Sequence, residues 1–231
     1  MNNKVRGKLI VIEGTDCSGK ETQTKLLCEK LKNDGERVFY MSFPRYDTPT
    51  GKIVGGPLLG KSYICDSYFG TEAPRVPGKV ASLYYAADRL YHIEQIKMNL
   101  DFGITVILDR YTTSNMAFQG SKLHTKNERK EMYLFLEKLE YDLLGLPRPD
   151  EVIFLHMPYL AAKKLKEKRE EKLDRVEEDE TYLRLGEAAY LELVKLYNFK
   201  TIKCCENGII RSIEDINDEL YNMVKEIING K

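Results

Sequence analysis

Seven residues, Gly14-Thr15-Asp16-Cys17-Ser18-Gly19-Lys20, have the types and spacing to hold an anion. Glycines at both ends let the backbone curl, so that several N–H groups converge on one centre. Lys20 adds a mobile ammonium suited to the outer phosphates of a nucleotide. The segment follows the apolar run Leu9-Ile10-Val11-Ile12 and precedes a helix-patterned stretch with Leu26, Leu27 and Leu31 on one face. That order places the positive end of a helix at the anion. A glycine-rich turn that binds nothing is the alternative, and the flanking strand and helix favour the phosphate cradle. Glu21 and Thr22, in the first helical turn, complete the expected nucleotide-contacting set. Glu21 stands where a Ser or Thr hydroxyl would ordinarily reach Mg²⁺. Either magnesium is held through water, the nucleotide phosphates and carboxylates such as Asp16 or Asp109, or Glu21 is simply a first-turn acid favoured by the helix dipole.

Three further clusters carry chemistry-bearing residues. Phe43-Pro44-Arg45-Tyr46 follows a second apolar run. Tyr85 and Arg89 are four apart and share a helix face, where a ring and a guanidinium can stack on a base and bond its edge. Asp109-Arg110-Tyr111, running on through Ser114, Asn115, Phe118 and Gln119, puts a carboxylate and an arginine after a third run. Singly, each has a plain structural reading as a surface ion pair or a core ring. Together, in this order and beside a phosphate loop, they read as one site.

The elements that position these residues follow from the alternation of apolar runs and helical patterns. Strands are expected at 9–13, 38–42, 105–108, 152–156 and 201–205, and helices at 20–32, 80–100, 127–144, 160–169, 181–197 and 212–228. Such alternation predicts an α/β fold, a five-stranded parallel sheet with helices on both faces. Its ligands bind beyond the carboxyl ends of the strands, where the motifs fall. Residues 46–79 hold Pro49, Pro57, Pro74 and Pro77 and are the least regular stretch, which marks a functional or mobile loop. Residues 163–180 interleave Lys166, Lys168, Arg169, Lys172 and Arg175 with acids. From charge alone this is a solvated helix face; in a phosphate-handling enzyme it is a lid. Asp101-Phe102-Gly103 and Asp142-Leu143-Leu144-Gly145 resemble kinase and GTPase signatures, but lack the companion motifs.

The chain has 231 residues, 42% hydrophobic and 31% charged, with 36 basic and 36 acidic residues balancing to zero. That suits one domain and argues against coating nucleic acid, which needs a basic field. No apolar run is long enough to cross a bilayer, and the first one is too short for a signal peptide. Five cysteines without metal spacing fit a reduced, cytoplasmic setting.

On the phosphate loop with Asp16, the Phe43-Pro44-Arg45-Tyr46 segment and Asp109-Arg110-Tyr111 through Ser114-Asn115, the chain resembles the thymidylate kinase family over nearly its whole length. The resemblance implies a P-loop NTPase fold, ATP as donor, dTMP as acceptor, Mg²⁺, and a homodimer packed through helices. It implies that Lys20 and the loop hold the donor phosphates and that Asp16 lies near the sugar 3′-hydroxyl. Phe43 and Tyr85 would flank thymine, Arg89 and Asn115 would read its edge, and Ser114 would line the acceptor site. Arg45 and Arg110 would bind the acceptor phosphate, and Phe118 would exclude a 2′-hydroxyl. With no extra arginine in the loop, Arg169 or Arg175 of a lid at about 163–180 would supply the remaining catalytic charge. The stretch at about 61–79 reads as an insertion at the rim of the acceptor site. A deoxynucleoside kinase and a non-catalytic nucleotide-binding switch are the rival readings.

Overall fold

The computed structural model describes residues 6–15, 18–70, 75–166 and 180–230. Asp16, Cys17, Arg169 and Arg175 lie outside the described residues, as does most of the proposed lid.

Five parallel strands form the main sheet: β1 (Leu9–Gly14), β2 (Val38–Ser42), β3 (Thr105–Asp109), β4 (Glu151–His156) and β5 (Lys200–Lys203). Their order is β2-β3-β1-β4-β5. β1 is central, and every one of its residues is buried. Successive side chains of a strand point to opposite faces, so β1 feeds two cores. Ile10 and Ile12 pack with Leu27 and Leu31 of α1 (Lys20–Asn33) and with Leu220 and Val224. The latter two belong to the last helix in the chain, Ile213–Ile228. Leu9 and Val11 pack on the other face with Ile96, Leu100, Met116, Leu136, Tyr190 and Leu193. A parallel sheet covered on both sides needs this near-continuous apolar reading along its strands.

The helices on the second face depart from expectation in ways that matter for the site. The single helix expected over 80–100 is two, α3 (Gly78–Tyr91) and α4 (Ile93–Asp101). They meet at His92, whose backbone (φ −104°, ψ 2°) leaves the helical region and whose ring sits against Phe43 and Tyr91. The helix expected over 127–144 is α6 (Lys126–Glu137), opened by a Thr125/Glu128 capping box, and continues as a π-helical turn, Lys138–Leu143. A helix not expected at all, α5 (Thr112–Gly120), follows β3. Nearly all of it is buried, so it has no polar face and no amphipathic period to read.

The described part of residues 46–79 is more regular than its prolines suggested. Thr48 caps α2 (Pro49–Ile53), which runs into a π-helical turn at Val54–Leu58. Val54, Leu58, Leu59, Val76 and Ala81 form a small second core, against which Tyr46, Phe69, Tyr84 and Tyr85 pack. The remaining helices are α7 (Tyr159–Lys166), α8 (Glu180–Tyr197) and α9 (Ile213–Ile228), with a short hairpin of β6 (Cys205–Glu206) and β7 (Ile209–Ile210) before α9.

Contact between α5 and α6 depends on the absence of a side chain at Gly120. A Cβ there would stand 2.5 Å from the ring of Tyr133, which is itself buried. Gly120→Ala is therefore expected to destabilise the protein by about 1–3 kcal/mol, the usual cost of overpacking. At this chain length each kcal/mol lowers the midpoint by roughly 2–4 °C, so thermal unfolding checks it directly.

Candidate active site

The site is built at the carboxyl ends of β1 and β3. Gly14, the last residue of β1, has no room for a side chain: a Cβ would lie 2.6 Å from Ser18 Oγ and 3.2 Å from the Leu155 carbonyl. Gly19 has φ +75°, a conformation that favours glycine, and leads into α1. Thr15 Oγ1 donates to the Met157 carbonyl (3.3 Å), tying the loop to the end of β4. Ser18 Oγ is buried without a hydrogen-bond partner among the described residues. Lys20 opens α1, and its Nζ lies 2.7 Å from Asp109 Oδ1 at the end of β3, both side chains being largely buried. Glu21 and Thr22 face outward. The Glu21 carboxylate pairs with Lys25 one turn on (2.6 Å), the arrangement of a first-turn acid rather than of a group turned into the loop.

Arg110 follows Asp109 with φ +68°, a left-handed conformation uncommon outside glycine and costly unless its surroundings enforce it. The enforcement is visible. Arg110 N donates to the Ile12 carbonyl (3.1 Å), and the next residues are gripped by Glu13. Glu13 is fully buried on β1. Its Oε1 accepts from Tyr111 N (3.2 Å) and Thr113 Oγ1 (2.5 Å), and its Oε2 from Ser114 Oγ (2.6 Å) and Tyr190 OH (2.8 Å). Burial, and then the negative charge of Glu13, push the Tyr190 phenol well above its ordinary range, so it remains a donor. The Arg110 guanidinium is steered back over the loop. Its Nη1 lies 3.5 Å from the Gly14 carbonyl, Ser114 Oγ and Tyr190 OH, and its carbon stands 5.2 Å from the centre of the Phe118 ring.

A second buried carboxylate organises the other side of α5. Glu140, in the π-helical turn, is fully buried. It accepts from Arg89 Nε (2.5 Å) and Nη2 (2.7 Å), from Thr112 Oγ1 (3.0 Å) and from Asn115 Nδ2 (2.9 Å). Burial opposes the Arg89 charge, but Glu140 outweighs it and holds the guanidinium above its usual value. Arg89, expected to read a base edge, has its Nε and Nη2 engaged by Glu140. Asn115 Nδ2 also donates to the Ser82 carbonyl (3.2 Å), while its Oδ1 is buried with no partner among the described residues.

The remaining expected residues surround this pair. Phe43 is buried in the main core, beside His92 and Tyr111. Arg45 pairs with Asp47 (2.8 Å), and its backbone N–H donates to Asp88 Oδ2 (2.9 Å). Asp88 Oδ1 accepts from Thr50 Oγ1 (2.8 Å). Tyr85 is half-buried against the small second core. Phe118 meets Tyr190 edge to face at 5.9 Å.

A family model described as thymidylate kinase matches residues 12–217, a span that includes every residue just placed. The chain belongs to the thymidylate kinase family. A thymidylate kinase of Schizosaccharomyces pombe is 30% identical over 227 residues, covering 98% of this chain and 96% of that one. A probable thymidylate kinase of Pyrococcus horikoshii is 32% identical, covering 98% and 100%. The solved structure of the Candida albicans thymidylate kinase superposes with a TM-score of 0.71 at 25% identity, over 98% of this chain and 94% of that one.

Within the chain, Lys20, Asp109, Arg110, Ser114 and Phe118 gather at the ends of β1 and β3, and Arg89 and Asn115 gather around Glu140. Glu13, Glu140, Asp88 and Tyr190 went unsuspected in the sequence. Glu13 had a signal: an acid ending an otherwise apolar strand must be met by donors. Glu140 had none, since it sits in a run of charged residues that reads as an exposed helix.

Glu13→Gln leaves one acceptor oxygen for donors that now converge on two. It is expected to cost roughly 1–3 kcal/mol of stability and to loosen Arg110. Calorimetry should show the lower midpoint. Steady-state kinetics should show a larger loss toward the phosphate acceptor than toward the nucleotide donor.

Proposed function

We propose that the chain transfers the γ-phosphate of ATP to dTMP, giving dTDP, and so acts in dTTP synthesis. The observation that carries this reading is the interlocking of two cations at one loop. Lys20 Nζ reaches Asp109, the neighbour of Arg110, while Arg110 Nη1 reaches the carbonyl of Gly14, the first residue of the loop. A donor phosphate on the loop and an acceptor phosphate on Arg110 would then be adjacent. Phosphoryl transfer asks little covalent chemistry of the protein; it requires alignment and neutralisation of the charge gathering between two anions. Lys20 and Arg110 serve that role, with Arg45 at the acceptor phosphate, Asp16 near the sugar and Arg169 or Arg175 closing from a lid. Tyr85 and Phe43 flank the base, Arg89 and Asn115 read its edge, and Phe118 excludes a 2′-hydroxyl.

The residues present also suit Mg²⁺. Among the described residues no group of three or more His, Cys, Asp or Glu side chains is placed to hold an ion. Mg²⁺ does not need one, because it keeps several waters and binds through one or two carboxylates plus substrate phosphates. Asp109 is a buried carboxylate beside Lys20, and Asp16 would be the second. Bound there, the ion would neutralise charge on the donor phosphates.

We read the chain as one kinase domain with a lid at about 163–180 and an acceptor-side insertion at about 61–79. We place it in the cytoplasm, in keeping with the free Cys28, Cys65, Cys204 and Cys205 among the described residues. No described helix is long and apolar enough to cross a membrane.

ADP formation measured with dTMP, dUMP, dCMP, dGMP and thymidine tests the assignment. dTMP is expected to be the best acceptor; a tenfold preference for thymidine would instead indicate a deoxynucleoside kinase, and no ADP with any acceptor a binding switch. Arg110→Ala should lower kcat by roughly 10² or more, with the fold retained.

The same reading includes a homodimer packed through α3. Val80, Leu83, Leu90 and Tyr91 leave an apolar stripe on its outer face, Leu83 and Tyr91 being 52% and 59% exposed. Val80 and Leu83 of the stripe, with Thr50, Ile53, Tyr84 and Ala87, line a groove of about 390 Å³. Contiguous exposed apolar surface of this kind marks an association site. Leu83→Asp should convert a dimer to a monomer in sedimentation velocity, while a wild-type chain that sediments as a monomer would remove the dimer.

A further inference from the structure

We infer that Glu140 sets the base selectivity of this site as a positioning residue, by fixing which end of the Asn115 amide is left for the ligand. The inference rests on the reading of Asn115 as a base-edge contact and adds a residue that touches no substrate.

Glu140 stands among donors only, and each of its oxygens accepts two hydrogen bonds. Oε2 takes Arg89 Nε and Thr112 Oγ1; Oε1 takes Arg89 Nη2 and Asn115 Nδ2. A carboxylate has no proton to offer, so the amide of Asn115 must present its NH₂ to Glu140. The Ser82 carbonyl, 3.2 Å from the same nitrogen, is its second acceptor, neutral and more distant than the Glu140 oxygen at 2.9 Å. Two acceptors therefore bind one end of the amide, and the other end, Oδ1, is buried without a partner among the described residues. Asn115 itself is only 3% exposed. A buried acceptor left open is costly, and a ligand that fills it must bring a hydrogen.

Pyrimidines divide on this point. Thymine and uracil carry a hydrogen at N3, whereas neutral cytosine has a lone pair there. Facing Asn115 Oδ1, the first makes a hydrogen bond and the second sets lone pair against lone pair. A site built around a donated hydrogen bond rejects the partner lacking it far more strongly than a shape-matched apolar site does. Selection of an N3–H pyrimidine would thus be enforced from Glu140, which is 25 residues beyond Asn115 in the chain and reaches the site only because the π-helical turn carries it inward.

Glu140→Gln is the test. The variant removes the charge and leaves one acceptor oxygen for four donors, which weakens the hold on the Asn115 NH₂ and frees the amide to turn that NH₂ toward the base. The ratio of kcat/KM for dTMP to that for dCMP should fall at least tenfold, with the KM for ATP little changed. An unchanged ratio in a folded variant overturns the inference, whatever the loss of overall rate, because a structural role alone would lower both acceptors together. Should the variant not fold, the wild-type protein still decides the matter. In ¹⁵N-labelled protein without ligand, the Asn115 side-chain NH₂, identified by its absence in Asn115→Ala, should exchange slowly with solvent; rapid exchange overturns the inference. Failure of wild type to use dTMP would instead refute the function itself, which keeps the two failures distinct.

Discussion

The Glu13 carboxylate is the constraint around which the site is arranged. A charge at the end of the most deeply buried strand has no water to solvate it, so protein donors must converge on it. They come from the backbone of Tyr111, from Thr113 and Ser114 on α5 and from Tyr190 on α8. Together they tie the residue before α5, α5 itself and α8 to β1. The start of α5 is thereby fixed, the chain before it has to turn tightly, and that turn is the left-handed residue Arg110. The unusual backbone of Arg110 is a consequence of how a neighbouring carboxylate is satisfied. Removing one partner of such a network costs more than the network contributes as a whole, since it leaves the others buried and unmet.

Glu140 repeats this device on the other side of the first turn of α5, with Arg89, Thr112 and Asn115 as its donors. α5 is thus pinned between two buried carboxylates, one from the sheet and one from the end of α6. This accounts for the composition of Thr112-Thr113-Ser114-Asn115: the helix opens with short polar side chains, and Thr112 and Asn115 reach Glu140 while Thr113 and Ser114 reach Glu13. A buried ion pair such as Arg89–Glu140 is weak evidence for stability; its value here lies in orientation.

The sheet was legible because its strands are short apolar runs buried on both faces, and all five lie within a residue or two of their expected bounds. The phosphate loop was legible because glycine and lysine at that spacing have few other uses. What escaped was whatever tertiary context decided. α5 has no polar face and so no period. His92 interrupts what looked like one helix through a backbone preference that its sequence does not advertise. Glu140 lies among Glu137, Lys138 and Asp142 and looks solvated until the wider turn carries it inside. The β6–β7 hairpin, by contrast, had a readable cue in Asn207-Gly208, both with positive φ, a pair that favours tight hairpins. Among the candidate site residues, side-chain type was readable, but the groups that orient them come from distant positions with no local pattern.

Helix α3 has two working faces. Inward, Ser82, Asp88 and Arg89 are buried against the site; outward, Val80, Leu83, Leu90 and Tyr91 form the apolar stripe. A rigid helix cannot be held on one side without being steadied on the other. If a second copy covers the stripe and an acceptor nucleotide contacts the inward face, as proposed, any coupling that the helix carries between them is reciprocal, each changing the affinity for the other by the same factor. Apparent affinity for the acceptor would then be a function of protein concentration, and dilution an effector in its own right.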